Sequence, residues 1–229
     1  MNMAVISDLA SGDDEDRVLL VLLPGAHMTI EDFSTHGIIR AVRQRPWPVD
    51  VIAVDTGMDP YLDNEIADRL HEEVIAPAQR RGASRIWLAG ISLGGMGALL
   101  YAQAHGEMVE GVLLLSPFIG SQGLVAEVVG AGGLRRWNPA TDQNPTPERR
   151  LLAWLRAYRS GDRRWPDMRL AYGDDDRYAA AYRLLADILP PDVVLTGSGG
   201  HDWSTWEILW ERLLLTAPFA PQKAAEVLR

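Results

Sequence analysis

Short apolar runs alternate with amphipathic segments along most of the chain. The apolar runs lack the in-and-out alternation of a sheet with one face in water, so they predict strands that are covered on both faces. Flanking turn residues and β-branched side chains favour strands over helices for these runs. The predicted strands are 17–23, 49–54, 85–90, 111–115, 167–172 and 192–196.

Helix-like segments lie between the predicted strands. In them, apolar residues recur every three or four positions, as on one face of a helix. They cover 30–44, 63–81, 93–104, 148–159, 177–188 and 203–215. An alternation of strands and helices favours right-handed crossovers. We therefore predict an α/β fold with a predominantly parallel sheet of about six or seven strands and helices on both faces.

Two segments depart from this alternation. Residues 1–16 are polar and acidic, and we expect an N-terminal tail or an edge strand outside a single domain of residues 17–229. Residues 117–166 form a connection longer than one helix and two loops require. Connections of this length are usually functional lids or disordered segments, so 117–166 is predicted to be a small partial cap.

Composition narrows the classes of function. The chain of 229 residues has a formal net charge of −9 and no cysteine. The negative charge argues against nucleic acid as a partner, because phosphate binding needs a basic surface. The sequence shows no signal-peptide pattern and no apolar run near the ~20 residues that span a bilayer. We expect a cytoplasmic protein without membrane contact, and the sequence does not indicate an oligomeric state.

The segment LAGISLGGMG at 88–97 concentrates small residues around Ser92. It follows a predicted strand and opens a predicted helix, and Gly90 to Gly94 fit the pattern G-x-S-x-G of a nucleophile elbow. So tight a turn brings the residues two before and two after the serine into contact, so both must lack side-chain bulk. Ser92 is therefore the predicted nucleophile, held in a strained backbone conformation above the sheet edge. The alternative is a glycine-rich turn with an incidental serine.

A serine nucleophile needs a base, and the base needs a third group that orients it. With a nucleophile elbow, the chain order is serine, acid, histidine. His201 lies beyond the serine in the glycine-rich loop GSGGHDW, just past the last predicted strand, where an imidazole can reach over the carboxyl edge of the sheet. His201 is the predicted base; a solvated loop histidine is the alternative. For the acid, strand 167–172 runs into YGDDDRY, with its three aspartates at 174–176.

Charge that develops on a substrate carbonyl oxygen needs hydrogen-bond donors aimed at it. One predicted donor is the backbone N–H of Leu93, directly after the nucleophile and at the start of its helix. The second is expected in LLPGAHM, the loop after the first strong strand, where Gly25 lets the chain turn. There the N–H of Ala26 is the candidate, and His27 is the alternative.

Taken together, LLPGAHM, AGISLGGMG, LLLSPF, YGDDD and GGHDW resemble the motifs of the α/β-hydrolase fold family, in particular its small serine carboxylesterases and acyl hydrolases. The resemblance covers residues 17 to about 215. It implies a catalytic triad of Ser92, Asp176 and His201, because family members commonly place the acid three residues after the glycine of YGDDD. Asp175 is the competing acid. The chain departs from the family at the oxyanion loop, where LPGA replaces the more usual His-Gly pair.

The resemblance also implies an activity. We expect a serine hydrolase that cleaves a small carboxylic ester through an acyl-enzyme, without metal or cofactor. A thioesterase or acyltransferase would use the same residues, and a catalytically silent binding protein of the same fold is the less favoured alternative. The expected partner is thus a small-molecule ester or thioester. The residues predicted to contact this substrate are His27, Met28, Phe118 and Trp203. For His27 the alternative is a solvated position in the loop, and for Trp203 it is a position in the hydrophobic core.

Overall fold

A computed structural model describes residues 3–11, 17–139, 145–159, 161–162, 165–217 and 219 of the chain. The strands in these ranges are β1 (Val5–Asp8), β2 (Val18–Leu23), β3 (Val49–Val54), β4 (Arg85–Ile91), β5 (Gly111–Leu115), β6 (Asp167–Gly173) and β7 (Val194–Gly197). They form one sheet in the order β1-β3-β2-β4-β5-β6-β7.

Helices connect most of these strands. In chain order they are α1 (Asp32–Thr35), α2 (Ile38–Arg43), α3 (Asp59–Leu62), α4 (Ile66–Leu70), α5 (Ala76–Arg80), α6 (Leu93–His105), α7 (Gln122–Gly130), α8 (Pro147–Ala157), α9 (Ala179–Ala186) and α10 (Trp203–Thr216). A π-helical turn at His71–Ile75 joins α4 to α5. Short 3₁₀ turns lie at Gly106–Met108 and Pro191–Val193.

The sheet is parallel except at one edge. Strands β2 to β7 pair in parallel with their neighbours, and β1 pairs antiparallel with β3. This arrangement confirms the predicted α/β fold with a predominantly parallel sheet. The six predicted strands all form, and their ends lie within two residues of the prediction.

The continuous apolar runs are explained by two separate cores. Along β2, Leu19, Val21 and Leu23 pack into a core with α4 to α9, while the alternate residues pack into a second core with α1, α2 and α10. All six residues of β2 are buried. A strand with a helix layer on each face has no polar side, so its sequence shows no alternation.

The N-terminal segment contributes to the sheet. Val5 to Asp8 lie opposite Val51 to Val54 and form the edge strand β1. Asp8 pairs with Arg43 of α2, which holds the edge against the helix layer. Part of the segment predicted as an acidic tail therefore belongs to the domain, and its residues 12–16 lie outside the described residues.

The long connection between β5 and β6 contains two helices in different places. Helix α8 packs against α6, and its residues Leu151, Leu152 and Leu155 are fully buried in the core that contains α4 to α9. It is therefore the crossover helix between two parallel strands, as this topology requires. Helix α7 packs against α9. A cap remains a prediction for α7 and the turn after it; residues 140–144 lie outside the described residues.

No helix in the described ranges is both long enough and apolar enough to cross a membrane.

Candidate active site

Five predicted site residues lie at one edge of the sheet. The loops that follow β2, β4, β5, β6 and β7 carry Ala26, Ser92, Phe118, Asp176 and His201 respectively. These five strands are parallel, so their carboxyl ends point the same way. Ligand sites of open α/β sheets lie outside the carboxyl ends of the strands. The topology thus brings residues from distant parts of the chain to a common edge.

Ser92 occupies a strained turn between β4 and α6. Its backbone has φ 51° and ψ −113°, a region that residues with a side chain rarely adopt. A Cβ on Gly90 would overlap the carbonyl oxygen of Gly94, and one on Gly94 would overlap that of Leu23. Only glycine therefore fits on either side of the serine. Strain of this kind costs on the order of 1–3 kcal/mol and persists only where the surroundings impose it.

Ser92, His201 and Asp176 form a chain of hydrogen bonds. The imidazole Nε2 of His201 lies 3.0 Å from the Ser92 hydroxyl, and Nδ1 lies 2.7 Å from Asp176 Oδ2. The carboxylate of Asp176 is fully buried. It also accepts from the backbone N–H of Tyr178 at 2.9 Å and from the hydroxyl of Tyr182 at 3.0 Å. Three donors therefore offset the cost of burying this charge.

Asp175, the competing acid, points elsewhere. It is exposed, and its carboxylate accepts from the backbone N–H of Gly199 at 3.3 Å. Its own N–H donates to the Gly199 carbonyl at 3.1 Å. These bonds tie the loop after β6 to the loop that carries His201. The structure therefore brings Asp176 to the imidazole and leaves Asp175 as a link between the two loops.

Aromatic rings surround the imidazole of His201. Tyr178 and Trp206 lie edge-on to it, with ring centroids at 5.2 Å and 5.0 Å. Trp203 is one ring further away: it contacts Trp206 edge-on at 5.4 Å and stacks on His36 at 4.1 Å. Trp203 is half-buried and packs against the second core, the one that contains α1, α2 and α10. Its predicted contact with substrate stays a prediction.

The loop after β2 forms a tight turn beside the elbow. Met28 N–H donates to the Gly25 carbonyl at 3.1 Å, and Gly25 N–H donates to the Met28 sulfur at 3.1 Å. The turn exposes Ala26 and His27, the latter with φ 64°. Neither the N–H of Ala26 nor that of Leu93 donates to an internal acceptor in the described part of the chain. Both predicted oxyanion donors are thus available to a ligand.

The N–H of Leu93 lies at the N-terminus of α6, because Leu93 is the first residue of that helix. The unpaired N–H groups and the macrodipole give a helix N-terminus a partial positive charge. An oxyanion placed there would be stabilised by both.

The other predicted contacts lie next to the elbow. The N–H of Phe118 donates to the carbonyl of Ser92 at 2.8 Å, and Phe118 is half-buried. Met28 is also half-buried, and its sulfur is engaged with Gly25. Met28 thus supports the turn, and its contact with substrate, like that of Phe118 and His27, stays a prediction.

Two tyrosines beside Asp176 were not predicted. Tyr182 of α9 contacts the carboxylate through its hydroxyl, and Tyr178, at the N-cap of α9, contacts it through its backbone N–H. The i and i+4 spacing of two aromatic residues after YGDDD was visible in the sequence. It gave no signal, because aromatic residues at that spacing are usually core.

Comparison with known proteins places the fold. No curated protein sequence matches the chain. An S-formylglutathione hydrolase from Staphylococcus aureus superimposes with a TM-score of 0.62 at 17% identity, over 94% of this chain and 96% of that one. A fluorophosphonate-binding serine hydrolase of the same organism, solved with substrate bound, gives 0.59 at 17% over 94% and 98%.

Est1E from Butyrivibrio proteoclasticus, solved with ferulic acid bound, gives a TM-score of 0.57 at 14% identity, over 93% of this chain and 94% of that one. At such identities these structures share the fold with this chain. The sequence itself gives the stronger result, since residues 20–228 match the profile of the alpha/beta hydrolase family. The chain belongs to the alpha/beta hydrolase family.

Proposed function

We propose that the chain is a serine hydrolase that cleaves a small carboxylic ester through an acyl-enzyme. The hydrogen-bond chain from Ser92 through His201 to the buried Asp176 carries this proposal. Ser92 and His201 lie within the distance that proton transfer requires, and Asp176 lies within hydrogen-bond distance of the imidazole that it orients. A strained, partly exposed serine at the end of a central strand adds to it.

In the first half of the reaction, the hydroxyl oxygen of Ser92 attacks the ester carbonyl carbon while Nε2 of His201 takes the hydroxyl proton. The carbon becomes tetrahedral and its oxygen takes up a negative charge. We assign the stabilisation of that oxygen to the N–H groups of Leu93 and Ala26. The intermediate then collapses: the ester bond breaks, His201 gives its proton to the leaving alcohol, and the acyl group stays on Ser92.

In the second half, water takes the place of the alcohol. His201 removes a proton from the water as its oxygen attacks the acyl carbon. Collapse of the second tetrahedral intermediate returns that proton to Ser92 and releases the carboxylic acid. Asp176 stays ionised throughout and stabilises the imidazolium that forms twice in each cycle.

The experiment is covalent labelling with a fluorophosphonate probe, which reacts with an activated serine. Wild type is expected to be labelled at one site, and Ser92→Ala to abolish the label. Ser84→Ala is the matched control, since Ser84 is exposed and directly precedes the first residue of β4, at the end of that strand remote from Ser92. Labelling of the Ser92→Ala variant, or none of the folded wild type, would contradict the proposal and favour a silent binding protein.

A thioester is the second candidate substrate. The named substrate of the S-formylglutathione hydrolase that shares this fold is a thioester, and the same residues would act on it. A series of nitrophenyl esters of increasing acyl length, run beside acyl thioesters of the same lengths, separates the two by kcat/KM. We expect the short-chain esters to have a higher kcat/KM than the thioesters of the same acyl lengths. Adding a competing alcohol to each assay detects acyl transfer.

A further inference from the structure

A buried tyrosine hydroxyl lies inside the proposed hydrogen-bond chain. Tyr182 of α9 is 1% exposed, and its hydroxyl donates to Asp176 Oδ2 at 3.0 Å. The same hydroxyl lies 3.2 Å from Nδ1 of His201. It therefore contacts the two groups on which the basicity of Nε2 depends, at the end of the imidazole that faces away from Ser92.

The ring of Tyr182 is fixed by its surroundings. It packs against the ring of Tyr172 from β6, with centroids 5.2 Å apart, within the core that contains α4 to α9. Burial and the negative charge of Asp176 raise the pKa of the Tyr182 hydroxyl far above its ordinary value. The hydroxyl thus stays protonated and remains a donor.

The contacts assign the protons. The single hydroxyl proton of Tyr182 points at Asp176 Oδ2. Nδ1 of His201 then has two oxygen neighbours, that carboxylate oxygen and the Tyr182 oxygen, and both act as acceptors for it. A proton on Nδ1 satisfies this arrangement, whereas a lone pair there would face two oxygens. The tautomer with the Nε2 lone pair directed at Ser92 is the one favoured.

We infer that Tyr182 is a positioning residue, whose hydroxyl holds the Asp176 carboxylate and the Nδ1–H of His201 in the arrangement that directs Nε2 at Ser92. This inference rests on the proposed function. Tyr182 acts through Asp176 and His201 and does not touch the substrate. Among the described residues, the other groups that face His201 are the hydroxyl of Ser92 and the rings of Tyr178 and Trp206.

The test is Tyr182→Phe, which removes one oxygen and keeps the ring. Without this bond the carboxylate and the imidazole are held less firmly in line with Ser92, and this loss of positioning is expected to lower kcat about tenfold, with KM changed less than about twofold. Without the tyrosine donor, the full charge of Oδ2 falls on the bond from Nδ1, so the imidazolium is better stabilised. The acid limb of the kcat/KM profile should therefore move to higher pH. A merely structural role would leave that limb in place.

Tyr172→Phe is the matched control. Tyr172 is also buried and its ring touches that of Tyr182, but in the described residues its hydroxyl bonds to neither Asp176 nor His201. It should keep the wild-type kcat and pH profile. A double variant gives a second control: in an Asp176→Asn background, Tyr182→Phe should lower the remaining rate less than about twofold, because the two changes act on one bond.

A measurement without turnover separates this inference from the proposed function. The Nδ1–H proton of His201 should give a low-field NMR signal, assigned by its loss in His201→Gln, and Tyr182→Phe should shift it. If wild type fails to hydrolyse esters yet the signal shifts, the proposed function is wrong and the contact stands. An unshifted signal together with an unchanged kcat and acid limb would overturn the role of Tyr182.

Discussion

Nε2 of His201 lies 3.0 Å from the hydroxyl oxygen of Ser92, although 109 positions separate the two residues. Their strands are not neighbours either, since β5 and β6 lie between β4 and β7. The imidazole must therefore reach across the ends of two strands. It does so with support from Asp176, which follows β6 and lies on the path. The contact depends on the sheet order as much as on the two residues.

Replacing Asp176 with asparagine tests that support. On the proposed mechanism, Asp176→Asn removes the charge that stabilises the imidazolium and offers an amide donor to Nδ1. The lost charge destabilises the imidazolium and the amide donor favours the wrong tautomer, so kcat should fall by about 10⁴. Steady-state hydrolysis of a nitrophenyl ester measures it, with circular dichroism to verify folding.

Asp175→Asn is the control for that variant, because it changes the neighbouring carboxylate in the same way. Asp175 bonds to Gly199 and not to the imidazole. We expect kcat to stay within about threefold of wild type, as for the loss of one exposed hydrogen bond. A large loss in Asp175→Asn with a small one in Asp176→Asn would reverse the assignment of the acid.

The glycines around Ser92 should tolerate no side chain. In Gly90→Ala, the new methyl group would overlap the backbone of Gly94, which has no flexible end that can move aside. We expect a loss of about 3 kcal/mol or more in the free energy of unfolding, measured by urea denaturation. Gly123→Ala in α7 is the matched control, since a Cβ there meets nothing within 4 Å. It should raise that free energy by up to about 1 kcal/mol.

The fold was predictable from the sequence because its strands are buried on both faces. Each residue of β2 lies in one of the two cores, so the whole run had to be apolar, and its ends were marked by polar residues and Pro24. β1 was harder to predict. Its residues are half exposed and bond to one neighbour only, as at any sheet edge. The sequence there does not distinguish an edge strand from a tail.

The candidate site was predictable where one residue type must occupy one position. Ser92 lies between glycines that the turn requires, and His201 was the one histidine that follows both the elbow and the last predicted strand. The choice between Asp175 and Asp176 needed knowledge of the family, because the two are adjacent carboxylates. The contact of Tyr182 with Asp176 could not be predicted, because it depends on how α9 packs beside β6.

The N–H of Ala26, the proposed oxyanion donor in the loop after β2, can be removed by a substitution with proline. Ala26→Pro deletes the N–H of residue 26, which is the second residue of the turn from Gly25 to Met28. Proline suits that position of a turn, so the loop should keep its shape. On the proposed mechanism, kcat should fall about 10²–10³-fold. Ala26→Gly keeps the N–H and should retain most of the activity; equal losses in both variants would assign the effect to loop shape.

The histidine at the end of α6 lies away from the site and affects stability. His105, at the end of α6, has a buried Nε2 without a partner in the described residues, and its ring stacks on that of His71 at 4.6 Å. Burial, and then the charge of His71, lower the pKa of His105 below its ordinary value of 6.5; weaker effects of Asp68 and Glu107 oppose this.

The sign of the pH dependence follows from this shift. As the pH falls through about 6.5, His105 takes up a proton in the unfolded chain before it does so in the folded one. The contribution of the neutral, buried ring to stability is thus present above that pH and is lost as the pH falls towards the pKa of the folded state. Urea denaturation between about pH 7.5 and 5.5 should show the free energy of unfolding falling less steeply in His105→Gln than in wild type. Equal slopes in the two proteins would show that His105 titrates alike in both states.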